Sequence, residues 1–140
     1  MTDESRFERG MRVRRAILGD VHVDRSRARE TEFDEPFQRL ITEAAWGSVW
    51  ARPDLEPRMR SLITIALLAG LGREEELALH LRASRNTGAT PDEIREALLH
   101  VAIYAGVPAA NAAITLAKTI LFPEEGQLPR GDAGEVEDHA

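Results

Sequence analysis

Two side chains of complementary chemistry, Glu76 and His80, stand four residues apart near the middle of the chain. The segment from Gly72 to Gly88 reads as a helix that ends at a glycine, and residues four apart share one face of a helix. A carboxylate that holds an imidazole can transfer protons near neutral pH. The same spacing also suits a surface pair that adds only about 0.3 kcal/mol of stability. The spacing alone supports both interpretations.

Two arginines open the apolar segment 58–70, which is apolar on nearly every side and predicts a helix buried on most of its faces. A guanidinium near the start of a buried helix requires an anionic partner. Arg58 or Arg60 could therefore clamp the carboxylate of a ligand, or could form an ordinary ion pair at the surface or at a subunit interface. Since the two point to different faces, only one is expected to face a pocket.

Five further side chains could surround a ligand. Apolar spacing predicts one helix from Phe37 to Trp50. Trp46 and Trp50 share a face of this helix and could wall a dry pocket or simply pack in the core. His100 and Tyr104 are one turn apart, and Tyr104 could donate to a ligand oxygen or lie at the edge of the core. His22 falls in the polar, irregular stretch 19–32, which we expect to be a loop, where functional residues concentrate. It could close over a pocket, or serve as a capping or salt-bridging residue.

Metal and thiol chemistry find little support in the sequence. The chain contains no cysteine, which excludes disulfides, thiolate metal sites and cysteine nucleophiles. A zinc site made of His22, His80 and His100 has no metal-ligand spacing behind it. We therefore expect no bound metal.

Helical patterns follow one another along the chain, and no segment alternates as a strand does. Proline at the first helical position marks starts at Pro57 and Pro91. The helix that starts at Pro91 has an apolar stripe that predicts its buried face: Ile94, Ala97, Leu98, Val101, Ala102 and Ala105. The sequence predicts an all-α bundle of about six helices that forms one domain over residues 1–122. Because the apolar surface exceeds what one small bundle can hide, we also expect a homo-oligomer.

Charge and hydropathy limit the partners of the protein. Residues 123–140 carry six acidic residues against Arg130 and are expected to form a disordered tail, which leaves about −1 of the net charge of −6 on the body. No basic stripe is interleaved with aromatics, so no nucleic-acid partner is expected. The first residues lack an apolar signal core, and the apolar run 62–71 is too short to span a bilayer. We expect a cytoplasmic protein without membrane contact.

Several motifs occur in a fixed order along residues 6–122. They include Gly10-x-x-Val-Arg-Arg-x-x-Leu-Gly-Asp-x-His-Val-Asp-Arg25, the block from Phe37 to Trp50, Arg58-Met-Arg-Ser-Leu-Ile-Thr, Glu74-Glu-Glu-Leu-Ala-Leu-His80, Asn86-Thr-Gly, Thr90-Pro-Asp-Glu-Ile and the block from His100 to Asn111. Together they resemble the carboxymuconolactone decarboxylase family. The thiol peroxidases of the same superfamily carry Cys-x-x-Cys, and Arg73 and Glu76 stand where those cysteines would be. Without thiols the peroxidase interpretation fails.

The resemblance implies an all-helical, AhpD-like fold, a homo-oligomer of three or six copies, and no metal or organic cofactor. The implied reaction is loss of carbon dioxide from γ-carboxymuconolactone, a small lactone with two carboxylates, in the β-ketoadipate (protocatechuate) route of aromatic degradation. The product is 3-oxoadipate enol-lactone. Two alternatives stay open: an enzyme of the same fold acting on another small lactone or oxo-acid, and a non-enzymatic helical scaffold.

The resemblance also favours a catalytic role for the central pair. His80 is then the proton donor, and Glu76 orients it and keeps it basic. The other candidates become substrate-binding residues: Arg58, Arg60, Trp46, Trp50, His22, His100 and Tyr104.

Overall fold

The computed structural model describes residues 3–126, and all regular structure in this range is helical. The elements are α1 (Arg6–Leu18), α2 (Asp20–Ala28), α3 (Glu35–Ile41), a π-helix (Thr42–Trp50), α4 (Pro57–Leu71), α5 (Glu74–Thr87), α6 (Pro91–Tyr104), α7 (Val107–Leu121) and α8 (Pro123–Gly126). The all-α prediction is confirmed, and α4 and α6 begin at the prolines that marked their starts. The described residues hold more than six helices, because residues 20–28 are helical and residues 35–50 form two helices of different type.

Contacts group the helices into two compact units. Of the described residues, 3–63 and 83–90 form the first unit, and 64–82 and 91–126 form the second. Helix α4 begins in the first unit and ends in the second, whereas α5 does the reverse. The single-domain interpretation of residues 1–122 stays a prediction. None of the helices among the described residues combines the length and apolar character needed to cross a bilayer.

In the first unit, α1 and the π-helix approach each other through two glycines. A Cβ atom at Gly10 would overlap the carbonyl oxygen of Thr42, and one at Gly47 would lie 2.6 Å from the carbonyl oxygen of Arg6. Both glycines are buried. The two backbones therefore meet directly, which only residues without a side chain allow.

The helix that follows α3 changes type at Thr42. Nine residues form a π-helix, although π-helices normally occur as single turns and often at functional sites. Ser48 Oγ donates to the carbonyl oxygen of Glu43, five residues earlier, at 3.1 Å. The prediction of one α-helix through Trp50 is therefore wrong beyond Ile41.

The core of the first unit forms around this π-helix. Trp46, Ile17 and Ala83 are buried together, and Val13, Leu18, Ala45 and Trp50 pack against them. Asn86 Nδ2 donates to the carbonyl oxygen of Ile17 at 2.8 Å, which ties the end of α5 to the end of α1. Aromatic and aliphatic side chains from three helices thus hold this unit together.

The loop predicted for residues 19–32 is wrong over most of its length, because residues 20–28 form α2. Gly19 has a φ of 89° and both ends α1 and begins α2. Arg15 on α1 forms ion pairs with Asp20 at 3.0 Å and Asp24 at 2.8 Å on α2. Val23 is the only buried residue of α2, and ion pairs with α1 help to hold the helix in place. The sequence of α2 therefore has no apolar stripe from which the helix could have been predicted.

In the second unit, α6 and α7 bury one stripe each. The buried residues of α6 are Ile94, Leu98 and Val101, as its periodicity predicts, and those of α7 are Ala110, Ala113 and Ala117. Most residues of α4 are buried or half-buried, as expected, and one stripe of apolar side chains is exposed in the single chain. Leu67 is 60% exposed and Leu71 is 66% exposed.

The segment 123–140 begins with a short helix, Pro123–Gly126. The disordered tail over residues 123–140 stays a prediction. The remainder of the predicted tail lies outside the described residues.

The close approach in the first unit gives the first prediction. Gly10→Ala should lower the free energy of unfolding by about 2 kcal/mol or more, because the added methyl group meets backbone that cannot move aside. Urea unfolding followed by circular dichroism measures this. Gly70→Ala is the matched control, since its Cβ would sit 3.4 Å from the Cβ of Ala105, an ordinary contact, within α4. Equal effects of the two substitutions would contradict the close approach.

Candidate active site

Helix α5 carries the two central candidates one turn apart, as their spacing predicts. His80 is half-buried and its Nδ1 atom is shielded from water. Glu76 is exposed, and among the described residues its carboxylate enters no hydrogen bond or ion pair, so it does not hold His80 in this single chain. The helix thus supplies the predicted spacing, while the predicted hydrogen bond between the pair is not formed.

The two arginines of α4 have different surroundings. Arg60 donates from Nε to the carbonyl oxygen of Leu55 and from Nη2 to that of Arg52, both at 3.1 Å. It therefore closes the connection that precedes α4. Arg58 Nη2 pairs with Glu56 Oε1 at 2.8 Å in a partly exposed ion pair, which is a weak interaction. Both remain candidates for a carboxylate, but Arg60 already has a structural task.

The aromatic candidates of the first unit lie together. The rings of Trp46 and Trp50 are 5.1 Å apart between centroids and tilted by 31°. Trp46 is buried and Trp50 half-buried, so the pair presents one partly accessible indole surface. His22, predicted to lie on a loop, is instead a half-buried residue of α2.

In the second unit, His100 and Tyr104 line an apolar groove of about 380 Å³ between α4 and α6. Their rings stack, with centroids 6.3 Å apart and planes inclined by 11°. The groove also contains Ala66, Leu67, Gly70, Leu71, Val101 and Ala105. Tyr104 is 85% exposed, so it is not the core-edge tyrosine that the alternative interpretation describes.

Arg14 is a buried cation that sequence reasoning did not select. It is only 5% exposed, and its guanidinium donates to Thr42 Oγ1 and Ser26 Oγ, each at 3.3 Å. Burial lowers the pKa of Arg14 below its usual value, and nearby Arg27 lowers it further. The available signal was its place in the apolar stripe of α1, where a charged residue is unusual.

The three histidines within residues 3–126 do not assemble into a metal-binding group. Within residues 3–126, no three or more His, Asp or Glu side chains are placed to hold an ion. The expectation of a metal-free protein stays a prediction.

The sequence profile of the carboxymuconolactone decarboxylase family matches residues 35–119. The chain belongs to this family. A 4-carboxymuconolactone decarboxylase of Acinetobacter baylyi is 48% identical over 129 residues, which cover 92% of this chain and 96% of that protein. The nitrosuccinic acid decarboxylase npaB of Metarhizium robertsii is 46% identical over 115 residues, covering 81% of this chain and 80% of the relative.

A shorter 4-carboxymuconolactone decarboxylase sequence from Pseudomonas putida is 47% identical over 47 residues, 34% of this chain and 98% of that sequence. The part of the chain that the family profile matches contains Glu76, His80 and both arginines of α4, whereas Arg14 and His22 precede it. The two N-terminal residues therefore lie outside the part that defines the family.

The contacts of Arg60 generate the second prediction. Arg60→Met should lower the free energy of unfolding by about 1–2 kcal/mol, since two carbonyl oxygens lose a charged donor. Urea unfolding gives the loss, and faster cleavage after Glu56 by a glutamyl endopeptidase reports the loosened connection. Arg52→Met is the control, because the one ion pair of that side chain within residues 3–126 is an exposed pair with Asp54. An equally large loss of unfolding free energy in Arg52→Met would show that removal of a positive charge, and not of the contacts of Arg60, causes the destabilisation.

Proposed function

We propose that this member of the carboxymuconolactone decarboxylase family converts 4-carboxymuconolactone (γ-carboxymuconolactone) to 3-oxoadipate enol-lactone and carbon dioxide. The observation that carries the proposal is the 48% identity to a 4-carboxymuconolactone decarboxylase over 92% of this chain. The reaction is a step of the β-ketoadipate route, and we place it in the cytoplasm. It is a carboxy-lyase reaction on a small dianion.

The substrate supplies its own electron sink. When the ring carboxylate leaves as carbon dioxide, the bonding electron pair stays on the ring carbon and spreads through the ring double bond to the lactone carbonyl. The resulting dienolate then takes a proton on carbon. Because no external sink is required, the protein can work without a metal or organic cofactor. It must hold the carboxylates, stabilise the oxyanion and deliver the proton.

The geometry of α5 favours His80 as the proton donor. Its half-buried ring can be accessible to a small ligand on one side while Nδ1 stays away from water. Glu76 stands one turn earlier, and its carboxylate is available to orient the imidazole once substrate closes the site. A carboxylate beside the ring favours the protonated imidazole that the last step needs.

We give the remaining candidates substrate-binding roles. Arg58 can exchange its weak pair with Glu56 for a substrate carboxylate, and we give it this role over Arg60. The exposed edge of the Trp46–Trp50 pair provides an apolar wall, and His22 a polar contact from α2. His100 and Tyr104 are also proposed to bind the substrate, with the tyrosine hydroxyl donating to a lactone oxygen.

The third prediction concerns turnover of freshly generated 4-carboxymuconolactone, followed by carbon dioxide release with a chelator present. Wild type should convert it without added cofactor. His80→Ala should lower kcat about 100-fold or more, the usual size of a general-acid contribution. Glu76→Gln should lower kcat less and shift the pH profile, because it leaves the imidazole without its orienting charge.

Glu75→Gln is the matched control, since Glu75 is an equally exposed carboxylate on the same turn of α5. Full activity in that variant shows that charge loss alone is harmless. Unchanged turnover in His80→Ala would remove His80 as donor and leave the decarboxylase assignment intact. No conversion by folded wild type would overturn the proposed substrate.

A second candidate substrate follows from the 46% identity to the nitrosuccinic acid decarboxylase npaB over 81% of this chain. Nitrosuccinic acid is also a diacid, and its nitro group can accept the electron pair that carbon dioxide leaves behind. A single site that holds one carboxylate and protonates carbon would therefore suit both acids. The same assay decides between them: a higher kcat/KM for nitrosuccinate than for the lactone would replace the primary proposal.

The working protein is, on our proposal, a homo-oligomer of three or six copies. Large apolar side chains line the α4–α6 groove and are exposed to water, among them Leu67, Leu71 at 66% exposure and Tyr104. Contiguous exposed apolar surface of this kind is typical of a subunit interface. A second copy would bury it.

The fourth prediction tests this assembly. Leu67→Glu should shift the protein to smaller species in analytical ultracentrifugation, because a buried interface does not accept an unpaired carboxylate. Ala16→Glu adds the same charge at an exposed position of α1 and should leave the mass unchanged. A monomeric wild type, or an assembly indifferent to Leu67→Glu, would contradict the use of this face.

A further inference from the structure

The first unit contains a buried cation without a counter-charge. Arg14 is 5% exposed and forms no ion pair with any described residue. Its two hydrogen bonds go to neutral hydroxyls, Ser26 and Thr42, and both are long at 3.3 Å. Its Nε atom is buried and has no acceptor among the described residues. A buried charge in this state is strongly destabilising unless an anion completes it.

The charges around Arg14 do not supply that anion. Arg27 and Arg15 act on it as like charges, and Glu30 acts on it from beyond ion-pair distance. Arg15, the next residue of α1, is by contrast satisfied by two aspartates of α2. Arg15 is thus paired with carboxylates of α2, whereas no carboxylate among the described residues lies within ion-pair distance of Arg14.

The arginines of α4 differ from Arg14 in the same respect. Arg60 has two carbonyl acceptors and Arg58 has a carboxylate. Arg14 keeps an unused N–H group and two hydroxyl neighbours that can turn their own hydrogens outward. A guanidinium flanked by two hydroxyl donors matches the two oxygens of a carboxylate.

We propose that Arg14, assisted by the hydroxyls of Ser26 and Thr42, binds the carboxylate of the substrate that is not lost. The identity of the ligand rests on the proposed function. A carboxylate is planar and can accept from a planar guanidinium in bidentate fashion. Ser26 is half-buried, so the part of the proposed carboxylate site that α2 contributes lies near the surface. Arg14 is then a substrate-binding residue, additional to those of α4.

The experiment compares a ligand with and without the relevant charge. Muconolactone keeps the retained carboxylate and has hydrogen in place of the one that leaves, so it binds without reacting. Its carboxamide removes the charge. Inhibition and calorimetric binding constants of both compounds are measured for wild type, Arg14→Met, Arg14→Lys and Arg12→Met. Arg12 lies on the same helix in an exposed pair with Glu4, which makes it the matched control.

Wild type and Arg12→Met should prefer the acid to the amide about 30-fold or more, the range expected when one partner of a buried charge pair is lost. Arg14→Met should remove most of that preference and raise the KM of the substrate by a similar factor. Arg14→Lys should give an intermediate acid-to-amide preference, since lysine keeps the positive charge but lacks the planar guanidinium that binds a carboxylate through two N–H groups. The acid-to-amide ratio does not respond to general damage to the fold, because both ligands meet the same damaged protein.

An unchanged ratio in folded Arg14→Met overturns the proposal, whatever happens to stability. If Arg14→Met does not fold, Ser26→Ala is the deciding variant, because it keeps the charge of Arg14 and removes one hydroxyl donor. A reduced acid-to-amide ratio in Ser26→Ala supports the proposed carboxylate site, and a wild-type ratio refutes it. The proposed function fails separately, by absence of carbon dioxide release from wild type. The two failures therefore appear in different measurements.

Discussion

The direct contact between the backbones of α1 and the π-helix sets the geometry of the first unit. Gly10 lies against the carbonyl oxygen of Thr42, the first residue of the π-helix. One turn further along α1, this proximity lets Arg14 reach the hydroxyl of the same threonine. One turn beyond that, Ile17 packs with Trp46. A side chain at Gly10 would separate the helices and with them every contact that follows along α1.

The charge that this packing buries is difficult to explain by stability alone. Replacing a buried ion by an apolar residue of similar volume is often neutral or stabilising. An apolar residue at position 14 would continue the stripe of α1 that already contains Ile17. The fold instead holds Arg14 with two long hydrogen bonds to hydroxyl groups. Such a residue fits a binding role, because the energy that its burial costs is recovered only when an anion is present.

Much of the fold could be predicted from local signals. Prolines marked the starts of α4 and α6, and the spacing of Ile94, Leu98 and Val101 gave the buried face of α6. The π-helix could not be predicted, because apolar spacing up to Trp50 suits either helix type and the choice depends on contact with α1. Helix α2 was missed since ion pairs from Arg15 help fix it where an apolar stripe is lacking.

The candidate site likewise has features that one helix determines, which the sequence predicts, and features that depend on several helices, which it does not. The spacing of Glu76 and His80 is a local property of one helix, and the structure reproduces it. The missing counter-charge of Arg14 is a property of three helices together. A sequence shows that an arginine stands in an apolar stripe, but it does not show which carboxylates reach it. The exposure of Tyr104 is likewise set by what covers α6 and not by its own helix.

Both the proposed chemistry and the exposed surfaces of the single chain indicate that the site must be shielded from water. Decarboxylation is favoured where water is excluded, since charge disperses as carbon dioxide leaves and fixed dipoles act more strongly in a dry site. In the single chain Glu76 carries its carboxylate in water, and His100 and Tyr104 stand at an open apolar groove. A carboxylate in bulk water has little influence on an imidazole one turn away. Covering these surfaces by another copy would strengthen that influence while burying the apolar side chains, so assembly and catalysis are expected to depend on the same faces.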